Sequence, residues 1–323
     1  MLRQLDCRIN AHARPLINRD FCHLSRSTEA REAISAMLPR RLNEELLYAR
    51  AVSAMQLAQP IKSAFKVGAA ALIRDAANHR YIISGYNTEY VNNDSTHAEE
   101  SLTSKLRPGD RLELVTVVGQ NGEPLTPCGN CRELLSSWAT DRAEVLVTKR
   151  EEQTVWQPLH VLLPKALPNT HNLADLPHQQ QELLLAAKAI MAGAYIPYSG
   201  EAKGAAIMTA NGLLIVGSPR EDAAYHNIHA LEAVLVQSEV LRERDIKEIC
   251  LVGSGEYGLP YMPCGRCLQK VYEAAQICGR ERSLVVLLMN PRNHLVWQTT
   301  IDQLLPLPFG PKDLGIDVGR FLV

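Results

Sequence analysis

The sequence predicts an α/β protein made of two tandem three-layer α/β/α modules, each with a mixed sheet of about five strands. Two observations lead there. A set of phrases recurs in the same order in both halves of the chain, and within each half short β-branched runs alternate with helix-forming runs. The 323 residues, 46% hydrophobic and 21% charged, are enough for two domains of ordinary size.

The repeat is legible residue by residue. LLYARAVSA from Leu46 faces LLAAKAIMA from Leu184, and SAFKVGAAALI from Ser63 faces SGEAKGAAIMT from Ser199. Gly85 opens GYNTE and Gly217 opens GSPRE; His97 opens HAEE and His229 opens HALE; PCGNC from Pro127 faces PCGRC from Pro263. By subtraction the offsets are 138, 136, 132, 132 and 136 residues, so order is kept and spacing drifts little. Duplication explains this where chance recurrence does not. The expected organisation is an N-terminal arm over 1–42, a first module over 43–168, a linker over 169–177 and a second module over 178–323. The linker is read from its polarity, its prolines and its lack of a period.

In order along the first module, the run from Asn43 to Ala58 predicts a helix with Asn43 as N-cap. VGAAALI and YIISGYN predict short strands joined by the turn-like DAANH. HAEESLTSKL predicts a helix, LELVTVVG a buried strand, CGNCRELLSSWA a helix behind Pro127, and AEVLVTK a final strand. The second module repeats the scheme.

Composition excludes several classes. Lys and Arg total 34 against 35 Asp and Glu, a formal charge of −1, which gives no support to phosphate-backbone binding. No apolar run approaches the roughly 18 residues of a membrane span. The first 42 residues carry Arg3, Arg8, Arg14, Arg19, Arg26, Arg31, Arg40 and Arg41, but also Asp6, Asp20, Glu29 and Glu32, and no apolar h-region. That argues against a secretory signal; the expected location is the cytoplasm, with organelle targeting by this arm left open. Of the 8 cysteines, four form the two Cys-x-x-Cys pairs of the repeat, a metal or redox pattern rather than a disulfide framework.

The chemistry concentrates in the first module. His97, Cys128 and Cys131 offer one imidazole and two thiolates at predicted helix starts. Three such ligands leave a fourth tetrahedral position for water, the arrangement of a catalytic zinc. A helix N-terminus favours the ionised thiols. Glu99, two residues from His97, can take a proton from a zinc-bound water and return it to a ring nitrogen and a departing amine. Alone, the Cys-x-x-Cys pair could be redox-active or half of a structural zinc site, and a lone histidine is commonly an ordinary polar residue. Together, His-x-Glu followed by Pro-Cys-x-x-Cys is the described signature of zinc-dependent deaminases.

On these motifs both halves resemble cytidine deaminases, and the two-module chain with a histidine ligand resembles the dimeric bacterial and plant type. Ser63, Phe65, Val67, Gly68, Ala69 and Ala70, then Gly85, Asn87 and Glu89, match the phrases that precede the zinc motif in that family. The resemblance implies hydrolytic deamination of cytidine or 2′-deoxycytidine to the uracil nucleoside and ammonia, as in pyrimidine salvage, with Zn2+ as cofactor. It further implies that Phe65 packs on the base and that Asn87 and Glu89 bind the sugar 3′-hydroxyl. Ala98 would be a further substrate-binding residue, and the Thr126 carbonyl would accept from the leaving amino group. An enclosed 3′-hydroxyl favours a free nucleoside over a polynucleotide. The alternatives are a modified cytosine nucleoside or a nucleotide, a polynucleotide cytosine deaminase, and a zinc-stabilised scaffold.

The second module keeps His229, Cys264 and Cys267 as a possible second, non-catalytic zinc group, but Leu231 stands where Glu99 stands. Glu232 aligns with Glu100 instead, and one residue turns a helix by about 100°. Glu201 and Pro219 replace Phe65 and Asn87, while Glu221 matches Glu89. The tail LLPLPFGPKDLGI from Leu304 resembles a family tail that reaches a neighbouring subunit's site, which implies that Phe309 closes the first module's site in a homodimer, a pseudo-tetramer of modules.

Overall fold

A computed structural model describes residues 32–34, 40–148, 154–164 and 169–322. The described chain forms two compact units. The first runs to Leu125 and includes Ser137–Pro158; the second joins Thr126–Ser136 to the chain from Leu159 onward. Most of the expected arm over 1–42 lies outside the described residues.

The first unit contains β1 (Glu32–Ile34), α1 (Arg40–Met55), β2 (Val67–Arg74), β3 (Arg80–Tyr86), the two-residue pair β4 (Thr88–Glu89) and β5 (Ser95–Thr96), α2 (Ala98–Thr103), β6 (Arg111–Gly119), β7 (Ala139–Thr148) and β8 (Thr154–Pro158). Its main sheet runs β1-β3-β2-β6-β7-β8, with only β6 and β7 parallel. The DAANH turn forms as expected: Asp75 accepts the His79 N–H at 2.8 Å and Asn78 takes φ 68°, a left-handed conformation that asparagine tolerates. Leu47, Ala51 and Met55 of α1 pack against Ala70, Leu72, Ile82, Leu114 and Val118. The alternate residues Ala69, Ala71 and Ile73 are equally buried on the other face, so both faces are covered and the strand reads as a continuous apolar run.

Helix α1 begins at Arg40, and Asn43 is an interior, buried position rather than the cap. Arg40–Glu44 and Arg41–Glu45 pairs at i,i+4, at 2.7 and 3.3 Å, support the added turn.

The second unit contains α3 (Gly129–Ser136), α4 (Leu159–Leu162), β9 (Thr170–Asn172), α5 (His178–Ile190), β10 (Gly204–Thr209), β11 (Leu214–Gly217), α6 (Ala230–Leu241), β12 (Ile246–Val252), α7 (Gly265–Ile277), β13 (Val285–Met289), β14 (Leu295–Thr300) and α8 (Ile301–Leu304). Its sheet runs β11-β10-β12-β13-β14-β9, with only β12 and β13 parallel. Ala205, Ile207, Ile249, Leu251, Val286 and Leu288 face the core with α6, α7 and α8. Their sequence neighbours Ala206, Met208, Cys250, Val252, Leu287 and Met289 face α5. Period-two alternation with both faces apolar is the three-layer arrangement. Each sheet thus has five strands and one short edge strand. The expected linker contributes β9, whose three residues pair with β14.

The duplication is visible as equivalent close approaches. A Cβ on Gly68 would lie 2.1 Å from the Ala51 carbonyl oxygen, and one on Gly204 would lie 1.8 Å from that of Ala187. These pairs are separated by the same 136 residues (204 − 68 and 187 − 51). Within the second unit α3 and α7 cross glycine to glycine: a Cβ on Gly265 would meet the Gly129 carbonyl oxygen at 1.9 Å, and one on Gly129 would meet that of Gly265 at 2.1 Å. Backbone faces backbone there, so no rotamer change relieves the clash. Gly265→Ala is therefore expected to destabilise the chain by at least about 1–3 kcal/mol, read as a lower denaturant midpoint; an unchanged midpoint would show that the helices part freely.

Candidate active site

His97 occupies the N-cap of α2 in an extended conformation, φ −71° and ψ 159°. Glu100 fixes it there by accepting the His97 backbone N–H at 2.8 Å. The absence of a side chain at Gly85 lets α2 approach β3, since a Cβ would sit 2.3 Å from the Ala98 carbonyl oxygen. Ala98 is fully buried, and the Glu99 side chain follows it into the interior at 4% exposure.

Cys128 precedes α3 and Cys131 lies in its first turn, where backbone N–H groups lack intrahelical partners. His97, Cys128 and Cys131 form a group whose donor atoms all lie within 4.8 Å of one another. His229, Cys264 and Cys267 form a second such group. In the second, His229 Nδ1 is 3.2 Å from Cys267 Sγ and 3.3 Å from Cys264 Sγ. Zinc bonded at ~2.0 Å to nitrogen and ~2.3 Å to sulfur places such donors roughly 3.5 Å apart in a tetrahedron, so the donors stand close to the spacing that zinc requires. Hydrogen bonds from Cys267 and His229 hold the Cys264 thiol well below its usual range, while proximity to Cys264 and burial push Cys267 up. One thiolate is thus already favoured before any metal binds.

Arg132 completes the surroundings of the first cysteine pair and is absent from the sequence expectations. It is fully buried on α3. Its Nε donates to the Pro127 carbonyl at 2.8 Å, Nη1 to those of Leu162 at 2.7 Å and Pro306 at 2.6 Å, and Nη2 to that of Leu307 at 2.6 Å. Burial lowers its pKa to about 10 against the opposing pull of Cys128 and Cys131, so it remains a cation at neutral pH. Leu268 stands at the matching position of α7, also buried. The second group therefore has no equivalent buried guanidinium at that position.

The loop that carries Phe65 is held by Asn87 and Glu89. Asn87 accepts the Val67 N–H at 2.8 Å and donates to the Phe65 carbonyl at 3.0 Å. Glu89 accepts the Lys62 and Ser63 N–H groups at 2.7 and 2.9 Å and the Ser63 hydroxyl. Burial alone would raise the Glu89 pKa, but these donors outweigh it and hold the carboxyl below its ordinary value. After these bonds Asn87 retains about one N–H and Glu89 about one of its roughly four acceptor sites.

In the second unit Glu221 holds the equivalent loop in the same way, accepting the Tyr198 and Ser199 N–H groups at 2.8 and 3.1 Å. The positions matching Glu99 and Phe65 carry other residues. Leu231 is buried at the place of Glu99. Glu232 is engaged three times over, accepting the His229 N–H at 2.8 Å and pairing with Arg266 at 2.7 Å and Lys270 at 3.3 Å. A cavity of about 230 Å³ opens beside the metal group, lined among others by Ser199, Glu201, Lys203, Leu231 and Tyr261. Lys203 pairs with Glu201 at 2.6 Å and lies 4.2 Å above the Tyr261 ring, so an ion pair stands where the first module has Phe65 and Val67.

Residues 42–147 and 145–258 match two models of the cytidine and deoxycytidylate deaminase zinc-binding region. A cytidine deaminase of Sporosarcina psychrophila is 30% identical over 136 residues, 42% of this chain and 94% of the relative. The chain belongs to the cytidine deaminase family. A longer relative, the cytidine deaminase of Shewanella loihica, is 27% identical over 250 residues, 73% of this chain and 80% of its own. A crystal structure of cytidine deaminase from Burkholderia pseudomallei matches at 31% identity with a TM-score of 0.37, covering 42% of this chain and all of that one. The enzyme class is hydrolase and the cofactor is zinc, for which both His/Cys/Cys groups supply donors. Cytidine deamination is the general chemistry. Among the described residues no helix is long and apolar enough to cross a membrane.

Two expected substrate contacts lie in the second unit. Thr126 is half-buried directly before Pro127, and Phe309 is half-buried with its carbonyl accepting from Gln269 Nε2 at 2.7 Å.

Proposed function

We propose that the chain deaminates free cytidine or 2′-deoxycytidine to the uracil nucleoside and ammonia, using His97, Cys128 and Cys131 as zinc ligands and Glu99 as the proton-transfer residue. The observation that carries this reading is one nitrogen and two sulfur donors brought together, with a buried carboxylate two residues from the histidine. Bound there, zinc supplies Lewis-acid activation of water. Glu99 then takes a proton and delivers protons to N3 of the base and to the departing amine. Phe65 packs against the base, Ala98 lines its pocket, and the Thr126 carbonyl accepts from the amino group. Asn87 and Glu89 offer their remaining donor and acceptor to the 3′-hydroxyl, so a substrate lacking it leaves both unpaired. Charge balance, −1 overall, supports a small neutral substrate over a polynucleotide.

Ammonia release from cytidine, deoxycytidine, CMP, cytosine and a single-stranded oligodeoxycytidine tests this. Turnover of the two nucleosides alone is expected; preferential turnover of CMP or the oligomer would replace the substrate assignment. The chain would work as a homodimer in the cytoplasm, with Phe309 closing the first module's site, and equilibrium sedimentation at about twice the chain mass would support the assembly.

The same reading makes His229, Cys264 and Cys267 a second zinc site without turnover, because Leu231 carries no proton and Glu232 is fully engaged. Two zinc ions per chain are expected by elemental analysis, falling to one in Cys264→Ser. One zinc in the unaltered chain would show that the second group is only a relic of duplication.

A further inference from the structure

The N–H of Gly129, between Cys128 and Cys131, is an orphan donor at the start of α3. Its partner comes from α7: Gln269 Oε1 accepts it at 2.9 Å. The same amide donates through Nε2 to the Phe309 carbonyl at 2.7 Å. One bond needs an acceptor and the other a donor, so both fix a single orientation of the amide. The matching residue on α3, 136 positions earlier, is Glu133, whose carboxylate accepts the Gly265 N–H at 3.1 Å. The exchange is thus reciprocal but unequal. An ionised glutamate can hold a cysteine turn; only the glutamine can hold a cysteine turn and a carbonyl together.

The segment reached by Gln269 is under independent constraint. Leu307 has φ 48°, a left-handed conformation that a leucine adopts only when its surroundings over-determine it. That turn presents the carbonyls of Pro306 and Leu307 to Arg132. A Cβ on Gly310 would collide with Gln276 at 2.7 Å and Tyr272 at 2.8 Å, which seats the segment on α7.

We propose that Gln269, from the module lacking a catalytic carboxylate, is a positioning residue for the other module's zinc loop, holding the Cys128–Cys131 turn and the 306–309 segment in one fixed relation. This rests on His97, Cys128 and Cys131 being metal ligands. It also assigns the silent half a part in the reaction that requires no chemistry of its own.

The test uses the full chain, cobalt-loaded on a Cys264→Ser background so that one metal group reports. Gln269→Leu keeps the side-chain shape and removes both bonds. Expected are a shifted thiolate-to-cobalt charge-transfer band, metal release to a chelator about 10–100-fold faster, and a kcat for cytidine about tenfold lower together with a raised KM, since both bonds are lost. Gln269→Glu keeps the acceptor for Gly129 and loses the donor to Phe309. It is expected to retain the band and the release rate while KM rises. An unchanged band and release rate in Gln269→Leu overturns the proposal. Should Gln269→Leu fail to fold, Gln269→Glu decides alone: a shifted band in that variant overturns it equally. If the unaltered chain deaminates neither nucleoside, the proposed substrate falls, while the cobalt readouts still judge the positioning role.

Discussion

Glu99→Gln is expected to lower kcat for cytidine by about 10²–10⁴-fold, the usual contribution of a positioned general acid–base group, while zinc content stays unchanged. The substitution preserves the volume of a side chain that is 4% exposed and removes only its ability to carry a proton. Among the described residues, the carboxylates beside it and beside the matching position are already engaged. Glu100 accepts the His97 N–H, and Glu232 is bound to the His229 N–H, Arg266 and Lys270. Single-turnover ammonia release measures the loss. A rate within about tenfold of the unaltered enzyme would place the proton transfer on another group.

Arg132→Met is expected to cost about 1–3 kcal/mol of stability, the penalty for leaving buried acceptors without their donor. Four carbonyl oxygens, those of Pro127, Leu162, Pro306 and Leu307, accept from this guanidinium. Methionine fills similar space but donates nothing, so all four lose a partner, those of Pro127 and Leu162 in fully buried bonds. The thiols of Cys128 and Cys131 lose a neighbouring cation at the same time. Weaker zinc retention should therefore accompany the lower unfolding temperature. Chelator competition beside calorimetry checks both, and a stability loss below about 1 kcal/mol would mean that the carbonyls find other donors.

The sequence made the repeat, the helix and strand order and the two donor groups legible, because each is written in local pattern. Hydrophobic runs bounded by turn residues mark β2 and β3, and ligand spacing marks the His/Cys/Cys groups. What stayed hidden depends on distance along the chain. An arginine after Cys131 reads as an ordinary helix cation; its burial follows from carbonyls 30 to 175 residues away. Gln269 reads as a surface polar residue for the same reason, its partner Gly129 being 140 residues distant. The final hairpin strands β8 and β14 and the edge strand β9 escaped because TVWQP, LVWQTT and THN carry little alternation of their own. The helix start expected at Asn43 reflects a different limit: a capping residue type does not exclude a helical interior, and the chain is helical one turn upstream, where i,i+4 ion pairs add support.

The meeting of Gly129 and Gly265 has a thermodynamic consequence. The two cysteine-bearing helices of the pair are carried on one polypeptide, so their encounter is governed by an effective concentration set by the connecting chain and not by the amount of protein present. Separate single-module chains would have to assemble to bring two such helices together, and dilution would part them. Here the pairing of α3 with α7 is expected to survive dilution, and any duty that one cysteine helix performs for the other survives with it.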